Sequence, residues 1–160
     1  MEFTTADLCD AYPDLIRVTE PGFREFGARR KFCGSIDTVR VYEDNALVQG
    51  ALESPGTGRV LVVDGGGSSR CALVGGRLAA LAQANGWAGL LINGSVRDSA
   101  ELRQVSIGIR ALGTVPQRSS KDGKGERGGK VIFAGVAFRP GKFLYADEDG
   151  ILLAERDLLV

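Results

Sequence analysis

The stretch that most constrains this chain runs from Arg59 to Asn93. Two continuous apolar runs, Arg59–Asp64 (RVLVVD) and Gly89–Asn93 (GLLIN), bracket one segment with helical spacing. A short run with no polar alternation has no face to give to water, so each reads as a strand buried on both sides. Between them Leu78, Leu81 and Ala82 fall on one helical face, and Gly86 stands where a helix commonly ends on a glycine. A glycine-rich turn, Gly65-Gly66-Gly67-Ser68-Ser69, leads out of the first strand.

The flanking segments extend this unit. Asp98-Ser99-Ala100-Glu101 has the spacing of a capping box and predicts a short helix, followed by a strand over Ile107–Leu112. The middle of the chain is therefore β-α-β-α-β. Upstream, Thr4-Thr5-Ala6-Asp7-Leu8 reads as a capped helix start limited by Pro13, Ile36–Tyr42 as a strand and Asn45–Leu52 as a short helix. Arg118–Gly129 (RSSKDGKGERGG) is polar, charged and glycine-rich, the pattern of a solvated loop. From Lys130 to Ala154 the segments VIF, VAF, FLYA and ILLA alternate with turns and read as a β-meander. The flanking strands are expected to be antiparallel. The expected architecture is one α/β domain over residues 1–160 with a mixed sheet.

Composition removes several functions. The chain has no histidine, which excludes Ser-His-Asp and Cys-His catalysis and histidine-bound zinc. A metal here must be held by carboxylate, backbone or water oxygens, the donors that suit Mg²⁺ or Mn²⁺. Twenty basic and twenty acidic residues cancel, which argues against direct nucleic-acid binding and makes self-association less costly. No apolar run is long enough for a membrane helix, and the acidic N-terminal segment does not read as a signal peptide. Cys9, Cys33 and Cys71 lack CxxC spacing and read as reduced, buried thiols of a cytoplasmic protein.

The chemistry concentrates between Asp64 and Asp98, where two strand-to-helix junctions fall close in sequence. Strand ends in such a sheet share one edge, where ligands bind. The first junction, Gly75-Gly76-Arg77-Leu78, offers backbone N–H groups near a helix start, which favour an anion. The glycine cluster lacks Walker-A spacing. The second junction ends in Arg97-Asp98: a planar cationic fork suited to a carboxylate beside a hard oxygen donor suited to Mg²⁺. Asp98 equally fits a helix N-cap, and Arg97 a surface residue.

The segments DNALV (44–48), RVLVVDGGGSSRCALVGG (59–76), NGWAGLLINGSVRD (85–98) and YADEDGILL (145–153), with the Asp7-Leu8-Cys9-Asp10 opening, resemble the RraA-like family over nearly the whole chain. The resemblance implies a swivelling β/β/α-type fold and assembly as a homotrimer or hexamer. It implies a divalent-metal-dependent 4-hydroxy-4-methyl-2-oxoglutarate aldolase with oxaloacetate decarboxylase activity, or a regulator that binds and inhibits ribonuclease E. An older label for such proteins, demethylmenaquinone methyltransferase, finds no support in these residues. Carried over by position, Asp98 is the metal ligand, Arg97 the catalytic substrate contact, and Gly75, Gly76, Arg77 and Leu78 a backbone cradle for the substrate. The implied chemistry is Lewis-acid polarisation of a 2-oxo acid, cleavage at C3 to a pyruvate enolate, and stabilisation of that charge by Arg97. With no histidine, water on the metal is the remaining base. Aldolase members carry an acidic residue twenty intervening positions before the Arg-Asp pair; here that position is Gly76. The departure predicts weak metal binding, and an acidic residue from a neighbouring subunit is expected to contribute.

Overall fold

The structure, a computed structural model, describes residues 2–160. The elements in chain order are α1 (Thr5–Ala11), β1 (Ile16–Val18), β2 (Arg24–Glu25), β3 (Phe32–Arg40), α2 (Ala46–Leu52), β4 (Arg59–Asp64), β5 (Ala72–Val74), α3 (Gly76–Ala84), β6 (Gly89–Val96), α4 (Ser99–Leu102), β7 (Gly108–Thr114), β8 (Glu126–Arg127), β9 (Val131–Phe133), β10 (Val136–Phe138), β11 (Phe143–Asp147) and β12 (Gly150–Ala154). One mixed sheet carries the order β1-β12-β11-β3-β4-β6-β7-β2, with β5 added to β6 and β8 to β3.

The apolar runs of β4 and β6 behave as their composition requires. In β4, Leu61 and Val63 face one core together with Val48 and Leu52 of α2 and Leu78, Ala79 and Ala82 of α3. Val60 and Val62 face the other way, onto Val131, Phe133, Val136 and Phe138. All four β4 positions are fully buried, so helices cover one face of the sheet and a β-layer the other. At about 1.5–3 kcal/mol per buried aliphatic side chain, this double burial dominates the central sheet.

Two expectations need correction. β3, expected among the antiparallel flanks, runs parallel to β4, because α2 carries the chain back across the sheet between them. Its other edge pairs antiparallel with β11. The expected meander is two hairpins: β9–β10 forms a separate two-stranded sheet, whereas β11–β12 joins the main one. Alternation within each short segment does not reveal which sheet it joins. The 118–129 loop is exposed but anchored. Asp44, 2% exposed, accepts backbone N–H groups from Asp122, Gly123 and Lys124, and β8 pairs with the end of β3. Burial pushes the Asp44 carboxyl up, but these bonds and the one from Ala46 outweigh it and hold the pKa below its ordinary value.

At the N-terminus Thr4 caps α1 by accepting the Asp7 N–H at 3.0 Å. Cys33 and Cys71 are buried and Cys9 is half-buried. Among the described residues, no helix is long and apolar enough to cross a membrane.

Candidate functional site

The glycine-rich turn after β4 is a strand switch. β4 pairs with β6 as far as Asn93, and β5 then takes the same side of β6 at Ser95 and Val96. Gly66 and Gly67 supply the positive φ values, 66° and 73°, that this excursion needs. The loop is pinned outside by Glu43, which accepts from Ser68 Oγ at 2.5 Å and from Arg70 Nε at 2.7 Å. The result places the C-terminal ends of β4, β5, β6 and β7 on one edge, and both junctions found in the sequence lie there.

Gly75 is the N-cap of α3 in ordinary extended backbone (φ −124°), and Gly76 opens the helix. Arg97 continues β6, donating its backbone N–H to the Val74 carbonyl at 3.0 Å. Its half-buried side chain reaches the Pro116 carbonyl through Nη1 at 3.3 Å, leaving most of the guanidinium donors for other acceptors. Asp98 is exposed and sits in the left-handed region at φ 60°, a conformation aspartate tolerates better than most residues. Its Oδ2 accepts the Gly76 N–H at 2.9 Å.

The anion-favouring helix start is therefore occupied by a carboxylate of the chain itself. The capping box expected from Asp98 to Glu101 does not form: Asp98 holds the N-cap position of α4 but makes no side-chain cap bond. Its left-handed backbone turns the carboxylate towards α3, where the unpaired N–H and the helix dipole favour it. Arg77 is exposed and ties α3 to α2 through Gln49 Oε1 at 3.1 Å. The Leu78 side chain is buried in the core beneath α3, so only its backbone serves this edge.

Glu101 was legible in the sequence only as the partner in that capping box. A Cβ built on Gly76 would lie 1.4 Å from Glu101 Oε2. The carboxylate of Glu101 thus fills the space where a side chain at position 76 would begin. The spacing of three between Asp98 and Glu101, which puts two residues on one face of a helical turn, is the signal that marks it.

Among the described residues, no three acidic or sulfur ligands converge. Asp98 Oδ1 has no hydrogen-bond donor among the described residues, and Glu101 stands beside the same helix start. Mg²⁺ habitually takes one or two carboxylates and keeps several waters, so this donor set fits such an ion.

Residues 5–153 match the family model for RraA-like proteins, described as Aldolase/RraA, and the chain belongs to that family. It is 54% identical over 159 residues to a protein of Alkalilimnicola ehrlichii, with 99% of each chain covered, and 53% identical to one of Aromatoleum aromaticum, covering 99% and 100%. Both are provisionally named 4-hydroxy-4-methyl-2-oxoglutarate aldolase. The RNA-processing inhibitor RraA from Thermus thermophilis superposes with a TM-score of 0.94 at 51% identity, covering 98% and 94%. A Geobacillus kaustophilus structure described as an S-adenosylmethionine:2-dimethylmenaquinone methyltransferase gives 0.96 at 50% identity, covering 98% of each chain. The mixed α/β architecture is the fold of the Thermus neighbour.

Proposed function

We propose that this protein is a lyase that cleaves 4-hydroxy-4-methyl-2-oxoglutarate to pyruvate and decarboxylates oxaloacetate, using Mg²⁺ or Mn²⁺. The observation that carries the reading is the grouping of Arg97, Asp98 and Glu101 around the start of α3 on an open sheet edge. The aldolase name of relatives about half identical to it supports the same reading.

Asp98 would hold the ion through Oδ1, with Glu101 orienting its water shell. When bound, the metal supplies Lewis acidity at the 2-oxo and carboxylate oxygens of the substrate. Arg97 pairs with the substrate carboxylate through its planar fork and lies near the oxygen where charge develops. The first-turn N–H groups of Arg77 and Leu78 have no acceptor within the helix and offer a cradle for the other end of the substrate. The open edge suits completion by a neighbouring subunit of a homotrimer or hexamer, including an acidic residue. Light scattering at micromolar concentration tests the assembly, and a monomer mass overturns it.

The test of the activity is a pyruvate-release assay with oxaloacetate, first with Mg²⁺ and then with chelator. Metal-stimulated release lost on chelation supports the proposal, and no release above the spontaneous rate overturns it. The likeness to the Thermus inhibitor favours a second reading, a protein that binds and inhibits ribonuclease E. Inhibition of that nuclease by a protein inactive on 2-oxo acids would select it. The Arg97-Asp98-Glu101 grouping gives methyl transfer no support.

A further inference from the structure

Gly75 lies beneath both functional side chains at once. A Cβ built there would stand 2.7 Å from Asp98 Oδ2, 3.2 Å from Arg97 Cγ and 3.4 Å from Arg97 Nε. No other glycine of this edge has that position: a Cβ on Gly76 meets Glu101, and one on Gly65 meets Leu73 and the Asn93 carbonyl. The backbone at Gly75 is extended, with φ −124° and ψ −165°. Any residue adopts it, so conformational freedom does not explain a glycine here. What explains it is space.

We infer that Gly75 is a positioning residue: its missing side chain is the floor on which the Asp98 carboxylate and the Arg97 stem rest, and it sets the separation of the metal-ligating and carboxylate-binding groups. This role is steric and distinct from the backbone cradle. It rests on the functional reading above for its consequence, though not for its geometry. A methyl group at 75 cannot coexist with Oδ2 at 2.7 Å, so something must move. The atom in the way is the end of an exposed side chain, which is cheaper to move than backbone. The carboxylate therefore leaves the Gly76 N–H while the fold persists. Arg97, pressed along its stem, shifts with it. The carboxylate must shift and the Arg97 stem must give by a few tenths of an ångström, and misplacement approaching about 1 Å in a catalytic array costs turnover heavily.

Gly75→Ala tests this in the full-length protein, with Gly50→Ala as the control. Gly50 lies in α2 with nothing within 4 Å of a built Cβ, so the control should match the parent throughout. Three readouts are compared. The Gly76 amide proton, expected downfield in the parent because it donates to a carboxylate, should move upfield in Gly75→Ala towards its place in Asp98→Gly. Mn²⁺ affinity, read by the free-ion electron paramagnetic resonance signal, should weaken by roughly 10–100-fold, the range for lost support of a metal ligand. In the oxaloacetate assay kcat should fall more than KM rises, because the array is misplaced rather than absent.

A Gly75→Ala protein with the parent's amide shift and Mn²⁺ affinity overturns the inference. A displaced amide with undiminished Mn²⁺ binding overturns the role assigned to Asp98 and leaves the steric geometry standing. If Gly75→Ala lowers Tm by more than a few degrees, the same change is made in an Arg97→Ala/Asp98→Gly background. A Tm penalty that vanishes there supports the inference, and one that persists overturns it.

Discussion

Asp98 and Asp147 both accept backbone N–H groups, yet the chain uses them in opposite ways. Asp147 is 5% exposed and fully engaged: it accepts from the Thr5 N–H at 2.7 Å, Thr5 Oγ1 at 2.6 Å and the Asp149 N–H at 3.0 Å. It clamps α1 onto the β11–β12 turn. Its carbonyl accepts from Arg110 Nη2 at 2.9 Å, and that buried guanidinium pairs with Glu25 at 3.1 Å. Asp98 is exposed, accepts one N–H, keeps one oxygen uncommitted and sits in a left-handed backbone. A saturated carboxylate holds a fold together; one left unsaturated on a rigid edge is available for chemistry. On the proposed reading, burial and the number of acceptor sites still free together separate these two acids, which sequence spacing alone does not.

The largest effect expected from breaking this contrast is at Asp98. Asp98→Asn should abolish metal-stimulated pyruvate release and Mn²⁺ binding with Tm nearly unchanged, because the amide oxygen can still accept the Gly76 N–H. A variant that binds Mn²⁺ as tightly as the parent defeats the assignment. Next comes Arg97→Lys, which keeps the charge but loses the fork. Turnover should fall by roughly 10²–10³-fold, the cost of removing one donor to a developing oxyanion, again with little change in Tm. Full activity in both Arg97→Lys and Arg97→Ala places Arg97 outside the site.

Asp147→Ala should do the reverse. It strands buried donors and should cost about 3 kcal/mol of stability, read by urea unfolding, while the folded fraction keeps the parent's specific activity. Its pH dependence follows from direction. Burial pushes the Asp147 carboxyl up, but hydrogen bonds from Thr5 and Asp149 and the nearby Lys31 charge outweigh it and leave the pKa below the ordinary value. A depressed folded pKa means the clamp is fully present above the unfolded-state value of about 3.9 and is lost as pH falls through the folded one. The parent should lose stability steeply below about pH 4, and Asp147→Asn, already weakened at neutral pH, should show a flatter acid limb. Equal acid limbs would show that another carboxylate governs acid unfolding.

The smallest effect concerns Gly76. From sequence alone, Gly76→Asp should tighten Mg²⁺ binding and Gly76→Ala should leave it alone. Glu101 reverses that expectation. Gly76→Ala displaces a carboxylate without replacing it and should weaken Mg²⁺ binding, as should Glu101→Gln, by about 10-fold. Gly76→Asp exchanges one carboxylate for another and should change affinity by a few-fold at most. Isothermal titration with Mg²⁺ measures all three. A marked gain in Gly76→Asp alone would mean that Glu101 contributes nothing.

The sequence by itself determined the parts whose cause is local. Short continuous apolar runs rich in β-branched residues and flanked by glycine read as doubly buried strands, so β4 appeared at its true bounds and β6 from its true start. The cap at Thr4 and the helix from Asn45 follow from hydrogen bonds a few residues apart. The absence of histidine closed whole classes of chemistry, and the Arg97-Asp98 pair at a strand end was visible as a candidate. What only the tertiary structure decided were relations between segments far apart in the chain. The small strands β1, β2, β5 and β8 have no pattern of their own and exist because a longer neighbour offers an unpaired edge. Whether VIF and VAF continued the main sheet depended on which hydrophobic face they covered. Asp98 read as a capping residue because a cap is the nearest use for an aspartate before a helix. The fold supplied a better-placed N–H twenty-two residues upstream, and a left-handed backbone let the side chain reach it. The acid missing at Gly76 read as a plain loss for the same reason: a linear chain records which side chain is missing from a position, and only folding shows that Glu101 arrives in its space.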